Sequence, residues 1–384
     1  VAEFCAGESR RLNGETIQSE LSANFAYTIK DPHGVVALIT PWNFPVAIPV
    51  WKIAPALVAG NTVVFKPAEA TPATAVRLCE LFEEAGLPEG VLNLVLGKGA
   101  EVGDEICNHA AVKAISFTGS TETGIKLYEQ AAKRGAKVQC EMGGKNPVVV
   151  MDDCDLDLAV ESTANGAFGS TGQRCTATSR AVVTQKIADE FVRKIVEKAN
   201  AMRLGSGSDS KTEMGPCVDE KQFKTVLQYI DSGREDGAEL LTGGKRADGE
   251  NLEKGYFIEP TVFDKVTSDM RIAQEEIFGP VLSVLRVKDF DEAIAVANDS
   301  NYGLTSSIFT NDPNLIFRFV HEIETGMTHI NSPTTGGEAH IPFGGVKMTG
   351  IGAREQGSTS LDFYTELKVV YVDYTGRKRE GNLY

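Results

Sequence analysis

The sequence predicts an α/β fold built on parallel, doubly wound sheets. Two observations carry that prediction. Strand-like and helix-like stretches alternate from Val35 to Cys140 and again from Pro147 onward. The loops of unusual chemistry fall where strands end, which is where open α/β sheets bind ligands. A third observation adds a small β element: residues 361–374 alternate strongly and read as one long strand.

Taken in order, residues 1–22 read as the tail of a helix running into a polar link. Residues 25–30 and 35–40 read as strands about the turn Asp31-Pro-His-Gly34. Pro41-Trp-Asn-Phe-Pro45 is stiff, because each proline fixes its own φ and restricts its predecessor. A helical pattern over 50–59 stops at Gly60. Strands are predicted over 62–65, 91–96, 114–117 and 137–140, with helices over 73–85, 101–107 and 121–134 between them. In the second half a helix follows the acidic start Asp152-Asp-Cys-Asp155, and apolar residues recur along it as far as Ala167. Strands over 181–184 and 281–285 and helices over 187–202, 221–235 and 290–298 continue the rhythm. Residues 243–255, rich in Gly, Lys and Glu, read as a surface excursion.

A chain of 384 residues with 42% hydrophobic content implies two or three well-buried domains. Lys and Arg number 38 against 53 Asp and Glu, a net charge of −15, which argues against nucleic-acid or membrane-surface partners. Seven cysteines, an odd number with no CxxC pair, point to a reduced, cytoplasmic protein without structural zinc. The five histidines form no HExxH, so no metal site is expected. No apolar run reaches membrane-span length, and the first 20 residues hold no signal-peptide core. The chain opens at Val1 rather than Met, so a preceding segment is expected.

Cys175 lies on the Gly-rich connection between the helix after Asp155 and the strand over 181–184. Most cysteines are inert core residues, and reactivity follows exposure and thiolate character. Lys66-Pro-Ala-Glu69 follows one strand. Thr118-Gly-Ser120 follows another and opens a helix, whose free N–H groups suit phosphate; a plain Ser cap is the ordinary alternative. Gly97-Lys-Gly-Ala-Glu-Val-Gly103 nears a dinucleotide fingerprint but has the wrong spacing and reads as a turn. Glu141, among glycines, suits a general base if a semi-buried site raises its pKa; otherwise it is a loop carboxylate. Glu276 and Phe278 precede a rigid Gly-Pro turn, and Pro342-Phe-Gly-Gly345 opens a Gly-rich loop.

Jointly these motifs are specific. Pro41-Trp-Asn-Phe-Pro45, Lys66-Pro-Ala-Glu69, Phe117-Thr-Gly-Ser120, Glu141-Met-Gly-Gly-Lys145, Gly172-Gln-Arg-Cys175, Glu276-Ile-Phe-Gly-Pro280 and Pro342-Phe-Gly-Gly345 stand in the order and spacing of the aldehyde dehydrogenase superfamily. The Gly-Gln-Arg-Cys-Thr-Ala-Thr run and residues 336–365 resemble the 2,5-dioxopentanoate (α-ketoglutarate semialdehyde) dehydrogenases in particular. The resemblance implies a Rossmann-like NAD(P)-binding domain over 1–22 and 32–143, its N-terminal part missing. It implies a catalytic domain over 144–355 and oligomerisation strands over 23–31 and 356–384, which make a homodimer or homotetramer.

The resemblance also assigns roles. Cys175 is the nucleophile, Asn43 with the Cys175 N–H holds the oxyanion, and Glu141 activates the water that releases the acid rather than passing the acyl group to coenzyme A. Lys52 is placed in proton relay, although a helix-surface lysine is the stronger reading of the residue itself. Thr40, Pro41, Trp42, Lys66, Ala68, Glu69, Gly119, Ser120, Glu276 and Phe278 bind the cofactor. Because a carboxylate at Glu69 accepts from ribose hydroxyls and repels a 2′-phosphate, NAD is expected to be preferred and NADP tolerated. Arg174 is the candidate for an acidic semialdehyde's carboxylate. The alternatives are a succinate-semialdehyde or broad-specificity dehydrogenase, a thiol hydrolase for which no suitably placed histidine is found, and a non-catalytic binding protein that keeps the fold.

Overall fold

The computed structural model describes residues 1–249 and 252–376. Residues 250–251 of the expected surface excursion and 377–384 of the expected oligomerisation segment lie outside them.

A six-stranded sheet runs in the order Gly350–Ile351, Lys137–Glu141, Val112–Thr118, Val35–Ile39, Thr62–Lys66, Leu92–Leu94. All its pairs are parallel except that of Gly350–Ile351 with Lys137–Glu141. Parallel strands need crossovers, and the helices Ala47–Val58, Pro72–Glu84 and Thr121–Ala132 supply them. Both faces of the sheet are covered, which explains the near-continuous apolar runs such as Val35–Ile39. Val36, Leu38, Ile53 and Phe65 pack on one face, and Ile115, Phe117, Leu127 and Cys140 on the other. Gly60 ends the helix Ala47–Val58 in a left-handed conformation (φ 90°) that a Cβ would strain.

The seven-stranded sheet has the order Glu239–Thr242, Thr261–Asp264, Val281–Val287, Thr178–Thr184, Asn146–Val150, Thr305–Phe309, Met327–Ile330. Only its first pair is antiparallel. Leu156–Phe168 and Gln185–Ala201 cover one face through Ala159, Phe168, Phe191 and Ile195. Phe290–Asn298 and Pro313–Glu322 cover the other through Phe290, Ile294 and Phe319.

The third sheet joins Thr16–Ile17, Asn24–Pro32 and Thr365–Asp373. Its long antiparallel ladder runs from Asn24↔Asp373 to Pro32↔Thr365. The strands expected over 25–30 and 35–40 lie in different sheets, the turn at Asp31–Gly34 redirecting the chain between them. One sequence expectation changes here. The strand expected over 361–374 begins at Thr365, since Ser360–Phe363 is a helical turn. That turn sends Phe363 and Tyr364 under the six-stranded sheet, which an extended strand with alternating faces cannot do.

Among the described residues, no helix is long and apolar enough to cross a membrane.

Candidate active site

The helix Leu156–Phe168 starts on Asp155, whose side chain accepts from the Leu158 N–H at 3.0 Å. It ends in an abrupt reversal: Ser170, Thr171 and Gly172 have φ of 53°, 61° and 63°. Strain of this kind persists only where the surroundings enforce it. Here the Thr171 hydroxyl donates to the Gly215 carbonyl (3.0 Å), while the Gln173 amide donates to Pro216 O (3.2 Å) and accepts from Val218 N (2.9 Å). A Cβ at Gly172 would sit 2.2 Å from the Gly279 carbonyl oxygen, so this position demands glycine. The reversal delivers Cys175 just before the strand Thr178–Thr184.

Cys175 faces a cavity of about 270 Å³ shared with Trp42, Asn43, Ile48, Glu276 and Phe278. The Asn43 Nδ2 donates to Gln173 O at 3.0 Å, which fixes the amide plane beside the nucleophile loop. The Trp42 and Phe278 rings meet edge to face, with centroids 5.5 Å apart. Phe278 holds a left-handed backbone (φ 55°), and the Gln222 Nε2 clamps it by donating to Ile277 O (3.0 Å) and Phe278 O (2.9 Å). Gln222 gave no signal in the sequence, since a lone glutamine in an amphipathic helix reads as surface.

Burial among protein groups pushes the Cys175 thiol up to about 12, and Glu276 and then Glu141 add to the rise. The N–H groups of Thr176 and Cys175 oppose it. Burial also raises Glu276, to about 7, against the Gly144 N–H, which donates to its Oε1 at 3.0 Å, and the nearby Lys145. Lys145 falls to about 7, again chiefly by burial and then by Arg180. Arg180 is fully buried and donates to the carbonyls of Lys145, Val296 and Ala297, closing the C-terminus of Phe290–Asn298.

Glu141 is the last residue of its strand and is buried, off the wall of the Cys175 cavity. Its carboxylate lies against Gly344, where a Cβ would come within 2.4 Å of Oε1. Its pKa is raised well above the usual carboxylate value, by burial first and Glu355 second, against Lys52 and Arg354. Lys52 corrects the sequence reading. It is 1% exposed, not a helix-surface lysine. Its Nζ donates to Ser116 Oγ at 2.7 Å and pairs with Glu355, itself 3% exposed. The helix turns Ile48, Lys52 and Ala56 toward the sheet at intervals of four residues. The acid that makes this burial tolerable is 303 residues away, so no local pattern announced it.

A second cavity of about 570 Å³ adjoins the first and shares Pro41, Trp42, Thr118, Gly119 and Ser120 with it. Thr40 and Lys66 also line it. Ser120 caps the helix Thr121–Ala132 without a side-chain bond to the helix backbone; its hydroxyl donates to Thr123 Oγ1 instead. The first N–H groups therefore remain available to an anion. A Cβ on Gly119 would stand 2.5 Å from the Phe117 ring, which keeps the helix entrance bare. Among the described residues, the hydroxyls of Thr40 and Thr118 are buried without a partner. Lys66 is buried, its pKa lowered by that burial and partly restored by Glu69. Ala68 and Glu69 do not line this cavity, and the Glu69 Oε1 accepts from Gly99 N at 2.7 Å. The 97–103 stretch read as a turn is more than that. Gly99–Gly103 forms a π-helical turn, and Gly99, Ala100 and Gly103 sit on the cavity wall.

Arg174 is half-buried and is not on the wall of the cavity that holds Asn43. Its Nε donates to Ser170 Oγ at 2.9 Å, and it borders a small separate cavity beside Cys175. Among the described residues, no cluster of three or more His, Cys, Asp or Glu could hold a metal ion.

The model of the aldehyde dehydrogenase family matches residues 1–370. The α-ketoglutarate semialdehyde dehydrogenase of Haloferax volcanii is 51% identical over 91% of this chain and 72% of its own length. The 2,5-dioxopentanoate dehydrogenase of Saccharolobus solfataricus is 48% identical over 97% of this chain and 77% of its own. A crystal structure of betaine aldehyde dehydrogenase from Staphylococcus aureus in complex with NAD+ superposes with a TM-score of 0.96 at 40% identity, covering 98% of this chain and 74% of that one.

Proposed function

Because this chain belongs to the aldehyde dehydrogenase family, we propose that it oxidises an acidic semialdehyde such as 2,5-dioxopentanoate to the carboxylic acid, with NAD preferred and NADP tolerated. One observation carries the reading: Cys175 and Asn43 share a cavity with Glu276 and Phe278, and that cavity opens into a second one at a free helix N-terminus.

The second cavity fits a dinucleotide. The helix N-terminus at Gly119 and Ser120 suits a pyrophosphate, Thr40 and Lys66 offer polar atoms within it, and Glu276 and Phe278 stand at the cavity next to Cys175. NAD bound there would supply hydride acceptance, which converts the tetrahedral adduct on sulfur into a thioester. The residues do the rest. The Cys175 sulfur adds to the aldehyde carbon as thiolate. Asn43 and the Cys175 N–H receive the oxyanion. Glu141, rotated about its side-chain torsions toward the thioester, takes a proton from the attacking water. Lys52 and Glu355 give that proton a buried path away from Glu141.

NAD preference rests on Glu69, which stands off the cavity wall but is bonded to Gly99 of that wall, where its charge would oppose a 2′-phosphate. The acidic substrate rests on the two semialdehyde relatives; Arg174, off the wall of the cavity shared by Cys175 and Asn43 and bonded through Nε to Ser170, would have to turn to meet a substrate carboxylate. Residues 1–22 and 33–143 form the NAD(P)-binding domain, to which Gly350–Ile351 adds an edge strand; 144–349 form the catalytic domain; and Asn24–Pro32 with Thr365–Asp373 are the oligomerisation strands of a homodimer or homotetramer. A cytoplasmic location is the reading that the odd, CxxC-free set of cysteines supports.

NADH absorbance with a panel of semialdehydes against both cofactors tests the assignment. The highest kcat/KM is expected for 2,5-dioxopentanoate with NAD. Cys175→Ser should abolish oxidation, and turnover by that variant overturns the mechanism.

A further inference from the structure

Asn146 opens the central strand Asn146–Val150 and is 2% exposed. The next residue, Pro147, has no N–H to give to the ladder, and the register slips there: Asn146 pairs with Thr178 and Pro147 with Arg180. Proline inside a sheet is confined to such irregularities. At this irregularity the Asn146 side chain bonds to the chain on either side. Its Nδ2 donates to Cys175 O at 2.8 Å and to Ala177 O at 2.8 Å, and its Oδ1 accepts from Thr305 N at 3.2 Å. The bond from Thr305 N is buried and the two to Cys175 O and Ala177 O are part-buried, and together they leave the amide no other orientation.

The bond to Cys175 O has a chemical consequence. A peptide unit is planar and trans, so its C=O and N–H point in opposite directions. The carbonyl of Cys175 and the N–H of Thr176 belong to one such unit. Anchoring that carbonyl on Asn146 turns the Thr176 N–H to the opposite side of the peptide, and that N–H acts against the rise that burial imposes on the Cys175 thiol. Gly144 makes room for the anchor, since a Cβ there would lie 2.9 Å from both Asn146 Oδ1 and Cys175 O. Gly144 also donates its N–H to Glu276. One short segment thus ties the nucleophile loop to a carboxylate of the cofactor cavity.

We propose that Asn146 is a positioning residue for the nucleophile: its amide fixes the Cys175–Thr176 peptide plane so that the Thr176 N–H supports the thiolate. This rests on Cys175 being the nucleophile, as read above.

The test is the rate of Cys175 alkylation by iodoacetamide in the NAD-bound enzyme, read at Cys175 by peptide mass spectrometry. Asn146→Asp and Asn146→Ser keep an acceptor or a single donor and remove the two-pronged anchor. Losing one N–H bond to the anion should raise the thiol pKa by about one unit, a roughly tenfold slower alkylation at pH 8. Thr334→Val is the comparator. It removes a 2.8 Å bond to Thr176 O and so loosens the same loop without touching the Cys175 carbonyl. Slowing in the Asn146 variants well beyond that in Thr334→Val, at matched loss of melting temperature, supports the proposal. Equal slowing, or none, overturns it. A mutation-free reading stands beside this one: in a crystal structure of the unmodified NAD-bound enzyme, the Thr176 nitrogen should lie within hydrogen-bond reach of the sulfur. A nitrogen turned away refutes the proposal even if the variants fail to fold. Alkylation needs no aldehyde, so failure here leaves the nucleophile assignment to the Cys175→Ser turnover assay.

Discussion

The Asn43 side-chain amide donates a 3.0 Å hydrogen bond to the carbonyl of Gln173, two residues before Cys175. One amide hydrogen is spent on orientation, and the other is free to meet the charge that develops on the substrate oxygen. Asn43→Ala should therefore lower kcat by about 10²–10³, or ~3 kcal/mol of barrier, with the KM for NAD nearly unchanged. Steady-state kinetics decide it, and a loss confined to NAD affinity would speak against the oxyanion role.

Glu141 is buried with one carboxylate oxygen unpartnered among the described residues, and its pKa is raised. A base of this kind works only when deprotonated. Turnover should rise with pH through that elevated pKa. Glu141→Gln should retain the first-turnover NADH burst in stopped-flow and lose the steady state. A burst that disappears as well would place Glu141 before hydride transfer.

The carboxyl of Glu276 titrates near 7 in the folded protein, above its value in an unfolded chain. Between these values the folded state holds the extra proton. The group's contribution is then fully present below the unfolded pKa and fades as pH rises toward 7, by on the order of 1 kcal/mol per pH unit. Glu276→Gln, which keeps an acceptor for Gly144 N–H, should melt progressively higher than the parent as pH climbs from about 5 to 8 in cofactor-free protein. A constant difference across that range would contradict the shift.

Lys52 and Glu355 are 1% and 3% exposed and paired with each other. Lys52→Met leaves Glu355 buried without its cation, which should cost about 3–5 kcal/mol in chemical denaturation. Lys52→Met with Glu355→Gln should recover most of it. No recovery would mean that the two side chains contribute independently.

The strand Thr365–Asp373 leaves Leu367, Val369 and Tyr371 exposed along one face, at 59%, 49% and 71%. An exposed apolar strand at a sheet edge needs a partner. In the proposed oligomer this edge pairs between subunits, so Val369→Lys with Tyr371→Lys should shift the enzyme toward monomer in light scattering. An unchanged mass would put the interface elsewhere.

Much of the layout was legible in the sequence because its causes are local. Apolar spacing marked the helices Phe290–Asn298 and Glu220–Glu235 to within a residue, since a period is written in consecutive side chains. Cys175, Asn43, Glu276 and Phe278 lie in distinctive motifs at element ends, and the fold brings all four to one cavity. The helical turn Ser360–Phe363 was missed because its alternating residues suit a strand equally well; packing under the six-stranded sheet chose the helix.

What the sequence by itself determined is the order of elements and the chemistry offered at their ends. Charge and orientation were settled only in three dimensions. Lys52 became a buried partner of Glu355, Glu141 was turned toward Gly344 rather than Cys175, and Asn146 took hold of the Cys175 carbonyl. Each depends on which distant groups meet out of water, and a buried charge or amide has its state set by those neighbours rather than by its place in the chain.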